Sequence, residues 1–223
     1  FVFLALHGGK GEDGTIQNLL DEAGLKYNGG QCFAVALQCS EDELCWAYQG
    51  TEGETTNFEG IRAYHKETEN GYIITGDCDG SDNWDYICSV ELNGTKNPNL
   101  YYPAFDFANT YGLKSGLTGT KFETGWYIPS IKELFDMYLN KETVANSLEI
   151  AGGFTLYREN YGLYYHYFSS SQRGAESGDS SWGERPPIDV SYACDFGSED
   201  ALAYYAYKSN YFDVLVIQAF NVE

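Results

Sequence analysis

Four carboxylates fall within the nine residues DCDGSDNWD (77–85): Asp77, Asp79, Asp82 and Asp85. Hard oxygen ligands at this density suit calcium, which takes about six to eight of them. In the register of a calcium-binding loop, however, Asp82 stands at the turn-glycine position and Cys88 at that of the closing glutamate. The expectation is an Asx-rich turn that binds no metal and caps a hairpin, with Trp84 packed beneath it. His7, His65 and His166 are far apart and form no HExxH pair, and no GxSxG, GxGxxG or Walker sequence occurs. HGGKGEDG (7–14) is Gly-rich and holds one lysine, but it lacks the GK[ST] ending and opens no clear βαβ unit, so phosphate binding is not expected. The six cysteines (Cys32, Cys39, Cys45, Cys78, Cys88, Cys194) include no CxxC pair and have no histidine nearby, which argues against a zinc cage. Cys32 and Cys194 sit among alternating apolar residues, as small buried side chains do; the pairing of the six and the redox compartment stay open. These residues nominate no catalytic group, no metal and no cofactor.

Aromatic residues carry the sharper signal. The chain holds 20 Tyr, 13 Phe and 4 Trp in 223 residues, 17% aromatic in all. In the last third, Tyr164, Tyr165, His166, Tyr167, Trp182, Tyr192, Tyr204, Tyr205, Tyr207, Tyr211 and Phe212 are interleaved with Ser, Gly, Asn and Asp. Successive side chains of a strand point to opposite faces, so ALAYYAYKSNYF must place aromatics on both. Burying every such pair would strand many hydroxyls, so one face is expected to be exposed, and clustered exposed aromatics mark interaction sites. Tyr with Ser, Gly and Asn gives rigid contact area and adaptable hydrogen bonding at low entropy cost. The plainer alternative is that tyrosine fills strands of an acidic, soluble protein.

The elements that must position these residues are legible as periods. TIQNLLDEAG (15–24) reads as a short amphipathic helix ended by Gly24. QCFAVALQC and ELCWAYQG (31–50) read as two strands joined at Ser40–Asp42, residues 50–70 as a polar loop, and GYIIT (71–75) with YICSVE (86–91) as hairpin strands around the acidic loop. Helices follow at 103–112, 129–140 and 141–151; the second opens with a Ser130–Glu133 capping box. After residue 154, YYHYFSSSQ, DVSYACDF, ALAYYAY and DVLVIQAF read as strands, the last apolar enough to be central. The expected fold class is α+β: mixed or antiparallel sheets with about three helices, in one domain over residues 1–223. First and last strands should bring the chain ends together. FVFLALH is read as an ordered first strand, with any export signal upstream of residue 1.

Thirteen Lys+Arg against 33 Asp+Glu leave a formal charge of −20. That excess argues against nucleic acid, which needs clustered cations, and against anionic lipid surfaces. No apolar run reaches the ~20 residues of a spanning helix.

GWYIPSIKEL (125–134), AGGF (151–154), FSSSQ (168–172) and VLVIQAF (214–220), in this order and spacing, resemble the variable proteins of diversity-generating retroelements, in particular Treponema-type surface variable lipoproteins. DGSDNW (79–84) and YPAFDFANTYGL (102–113) extend the resemblance over roughly 72–220. It implies a C-type lectin-like fold of the formylglycine-generating-enzyme subtype and a ligand-binding receptor rather than a catalyst. The implied receptor is an exported, lipid-anchored monomer at the cell surface that meets an unknown protein or cell-surface ligand. The chain between FSSSQ and the terminal strand is the part such families diversify by adenine-specific mutagenesis. Fitting positions, in a variable region of about 164–220, are Tyr165, His166, Tyr167, Ser180, Ser181, Ser191, Tyr192, Tyr204, Tyr205, Asn210, Tyr211 and Phe212, with Trp182 as a fixed neighbour. Phe168 stands where relatives usually carry Trp, and RGAESGDSSWGERPPIDVS (173–191) is longer than the pattern. Alternatives are a formylglycine-generating-type enzyme, which would need a reactive cysteine pair where only Cys194 is present, and a calcium-dependent carbohydrate-binding lectin, which would need a carboxylate–amide loop such as Glu-Pro-Asn.

Overall fold

Ser130 starts a helix because its hydroxyl accepts from the Glu133 amide (3.3 Å) while the Glu133 carboxylate accepts from the Ser130 amide (2.7 Å). This reciprocal cap satisfies two donors that the first turn leaves unpaired. The computed structural model describes residues 3–5, 31–68, 71–157, 165–174, 188–197 and 203–221. Six α-helices appear there: α1 (Glu52–Thr55), α2 (Asn83–Val90), α3 (Pro98–Tyr101), α4 (Pro103–Lys114), α5 (Ile131–Leu139) and α6 (Lys141–Ile150). The last three match the helices read from periodicity, while the first three exceed the expected count. The helix expected at 15–24 lies outside the described residues.

Among the described residues ten strands form three sheets: β1 (Phe3–Ala5), β2 (Gln31–Val35), β3 (Leu44–Cys45), β4 (Arg62–Thr68), β5 (Gly71–Gly76), β6 (His166–Arg173), β7 (Val190–Asp195), β8 (Ala203–Tyr207), β9 (Tyr211–Phe212) and β10 (Ile217–Asn221). The five-stranded sheet runs β5-β4-β6-β7-β8, a three-stranded sheet β1-β2-β10, and β3 pairs with β9. β4 is parallel to β6; the other pairings of the large sheet are antiparallel. The fold is therefore mixed α+β. First and last strands do share a sheet, with β2 between them. No helix among the described residues is long and apolar enough to cross a membrane.

Several local expectations are corrected. YICSVE is not a strand: residues 83–90 are helical, with Asn83 and Ile87 buried one turn apart, and β5 pairs instead with β4, which arises inside the supposed 50–70 loop. The acidic segment thus leads into a helix rather than capping a hairpin. Trp84 lies not beneath a turn but stacked on Phe105, with centroids 5.0 Å apart. The terminal strand is buried without being central in its sheet. Val214 and Val216 enter one core, with Trp46, Phe58, Phe105 and Phe168, whereas Leu215 and Ile217 enter the other, with Leu134, Met137, Tyr167 and Tyr192. Phe33–Leu37 alternate in the same way. A strand between two cores needs apolar residues on both faces, which is why both runs read as continuous. On its outer side β10 is met by Tyr127, which exchanges two backbone hydrogen bonds with Ile217 (2.9 and 3.0 Å).

Candidate functional site

β6 carries the FSSSQ run through the centre of the molecule, and everything along it is buried. Its residues are anchored from both sides. The Phe168 amide donates to the Asp213 carbonyl (3.1 Å) and the Ser170 amide to the Pro129 carbonyl (2.9 Å). Gln172 is a hub: its Oε1 accepts from the Phe58 amide (2.8 Å) and from Lys208 Nζ (3.1 Å), and its Nε2 donates to Asn57 (3.0 Å). Lys208, fully buried, also donates to the Thr56 and Gly53 carbonyls (2.8 and 3.3 Å) and lies over the Trp46 and Phe58 rings. Burial lowers its pKa to about 7. This ammonium ties the turn between β8 and β9 to the 53–56 segment. Nothing in the sequence around Lys208 distinguishes it from a surface lysine.

The acidic loop is bound inward too. Asp77 Oδ2 accepts from Ser171 Oγ (2.6 Å) and Asn83 Nδ2 (2.7 Å), and burial raises the carboxyl to about 6 despite these bonds. Glu133 accepts from the Gly80 amide (2.9 Å) and the Tyr127 hydroxyl (2.9 Å) as well as from its own cap. Gly80 cannot be replaced cheaply: a Cβ there would sit 2.5 Å from the Ile128 carbonyl and 2.6 Å from the Ser130 amide. Among the described residues no group of three or more His, Cys, Asp or Glu is placed to hold a metal ion.

The candidate binding residues separate by strand parity. Tyr167, Ser191 and Tyr192 are buried at 1% exposure or less, with hydroxyls committed to the carbonyls of Leu156 (3.0 Å), Ala206 (3.4 Å) and Ala63 (3.2 Å). They are core side chains and not a contact surface, because β6 and β7 lie between covered faces. Tyr205 is half-buried beside Tyr192, shares a hydrogen bond with His65 Nδ1 (2.8 Å) and lies under the Arg173 guanidinium (3.8 Å). The backbone at 204 pairs with Ala193. Ser180, Ser181 and Trp182 lie outside the described residues.

What remains gathers where β9 meets β3 and the start of β6. Tyr211 is 52% exposed, opposite Cys45, and Phe212 packs between His166 (5.1 Å) and Phe168 (5.0 Å). His166 Nε2 lies 3.6 Å from the Asp195 carboxylate, yet its pKa is lowered, because burial outweighs the attraction of Asp195 and Glu43. Asn210 sits in the turn before β9, its amide donating to the Tyr207 carbonyl (2.9 Å). Tyr48 and Tyr207, which sequence reasoning did not select as binding residues, are 36% and 44% exposed. A cleft of about 610 Å³ opens on the β3 side, lined by Tyr48, Phe107 and Tyr111 together with Glu41, Asp42 and Asp106. The arrangement offers aromatic area, a neutral imidazole and acidic flanks, a surface for non-covalent recognition.

No protein-family model matches the chain, and no solved structure matches it. Parts of it are similar to D-alanine–D-alanine ligases. The ligase of Marinobacter nauticus is 38% identical over 60 residues, 27% of this chain and 18% of the relative. That of Thermotoga maritima is 30% identical over 92 residues, 40% and 30% respectively, and that of Gloeobacter violaceus 57% over 37 residues, 17% and 12%. The chain thus spans less than a third of the length of these relatives. These similarities correct the expectation that the chain is no enzyme: the proteins it partly matches are ligases, and the matches point to an enzyme. The glycine-rich HGGKGEDG segment lies outside the described residues.

Proposed function

We propose that the chain is a ligand-binding receptor of the retroelement-diversified type, displayed at the cell surface on a C-type lectin-like scaffold of the formylglycine-generating-enzyme subtype. The observation that carries the reading is the division of the aromatic residues. Tyr167 and Tyr192 are locked in the core, whereas Tyr211 is left in solvent with Tyr48 near it, next to the Phe212 ring that packs on His166. Substitution at such an edge leaves the packing beneath it intact, which is what a surface open to diversification requires. The partner is an unknown protein or cell-surface ligand. The decisive observation is in the flanking DNA: a near-copy of the 3′ coding region differing mainly at adenines, beside a reverse transcriptase gene. Absence of both from the complete locus removes the retroelement reading.

The ligase similarities favour a second, catalytic reading. In it, the matched stretches belong to a segment that takes part in joining D-alanine units, as the names of the relatives indicate. Incubating the protein with D-alanine and ATP and assaying for D-alanyl-D-alanine tests it. Product above the no-protein control supports this reading, and none at any protein concentration removes it.

A further inference from the structure

A second cavity, of about 280 Å³, lies between the start of α2, the exposed flank of α4 and the segment 124–128. None of its residues belongs to the β6–β9 edge. Its aromatic walls are held rigidly. Trp84 stacks on Phe105 at an interplanar angle of 21°, and Trp126 is fixed by a hydrogen bond from its indole nitrogen to the Phe122 carbonyl (2.7 Å).

Polar groups converge on these walls. Ser81, Asp85 and Asn109, all exposed, line the cavity, and their side chains make no hydrogen bond with another described residue, nor does the Trp84 indole N–H. Together they present a carboxylate, a carboxamide, a hydroxyl and an indole donor. Among the described residues no Lys, Arg or His lines the cavity, so a phosphate or carboxylate ligand would meet only Asp85 as a charge and be repelled. An ammonium ligand has donors alone and would leave the Trp84 N–H and the Asn109 amide donors unmatched. A pyranose ring meets the whole set: each hydroxyl both donates and accepts, and its C–H face suits Trp84, the partly exposed aromatic of the lining. The volume is slightly below the ~300–1,000 Å³ of drug-sized ligand sites, which suits one ring.

We propose that this cavity is a metal-independent binding site for a single neutral sugar ring. The site is separate from the aromatic edge and does not rest on the receptor reading. The test is saturation-transfer NMR on the whole protein with methyl glucoside, methyl galactoside and N-acetylglucosamine, all in excess chelator, with putrescine as the cationic control. Saturable transfer to at least one sugar is expected. Asn109→Ala and Asp85→Ala, both at exposed positions, should each weaken it about tenfold or more at unchanged melting temperature. Tyr211→Ser should leave it unchanged. Transfer to none of the sugars, transfer to putrescine alone, or sugar binding that survives both cavity variants overturns the proposal.

Discussion

Half-buried Asp77 and fully buried Lys208 have native pKa values displaced toward the neutral form, and each leaves a signature in stability against pH. Asp77 is raised from 3.8 to about 6, so between these values the folded state holds more protons than the unfolded one. Stability contributed by this group is therefore present below pH ~4 and lost as pH rises to about 6. Asp77→Asn should flatten that part of the profile, a difference of roughly 1–3 kcal/mol across the window, read from urea unfolding. Lys208 is lowered from 10.5 to about 7, so above pH 7 the folded state holds fewer protons than the unfolded one. Stability then rises with pH from about 7, until the thiols and tyrosines with raised pKa values, Cys194 and Tyr102 among them, begin to oppose it. Lys208→Met should abolish the rise between pH 7 and 9. It should also leave the Thr56 carbonyl without its Lys208 donor and Gln172 Oε1 with the Phe58 amide alone, so a net loss of about 1–3 kcal/mol at pH 9 is expected.

At the scale of elements, α5 and the segment before β10 bear the most weight. Ser130 is fully buried and its cap is complete. Ser130→Ala should therefore cost about 1–2 kcal/mol, in the upper part of the cap range because the freed amide has no water to turn to. Binding at the β9 edge should be unaffected; equal loss of both would place α5 in the site. Leu215 has no exposed surface and enters the core beneath α5 and α6. Leu215→Ala should cost about 2–5 kcal/mol in chemical denaturation through the cavity it leaves. In α4, Gly112→Ala would put a Cβ 2.1 Å from the Glu123 carbonyl, a backbone contact that cannot yield, so the turn at 115–125 must shift. A lowered melting temperature measures that shift.

For the molecule as a whole, the separation of scaffold from surface is the property under test. Tyr211→Ser and Tyr48→Ser together should move the melting temperature by no more than a few degrees while abolishing recognition at the edge, since an exposed aromatic anchor contributes to binding and little to folding. Adding Phe212→Ser should lower the melting temperature further, because that ring packs on Phe168 and His166. If the first double variant unfolds, the edge is core and the receptor proposal fails.

Local signals fixed by neighbours along the chain were readable without coordinates. The capping box at Ser130, Pro103 opening α4, the helix over 141–150 and the alternating C-terminal strands depend on contacts a few residues apart. The apolar run 214–217 correctly announced burial, but not that two separate cores lie either side of it. YICSVE shows why: its short apolar run suits a strand or a helix equally, and only the pairing of β5 with β4 decides. The candidate binding residues divided for the same reason. Tyrosines at 167, 192, 205 and 211 have similar sequence surroundings, yet two are core, one is half-buried and one is in solvent, because pairing partners from positions 44 to 212 determine which faces are covered. Composition and local spacing determined that this chain is acidic, aromatic-rich and α+β. Tertiary structure alone decided which aromatics are free to touch a ligand, because burial depends on residues more than a hundred positions away.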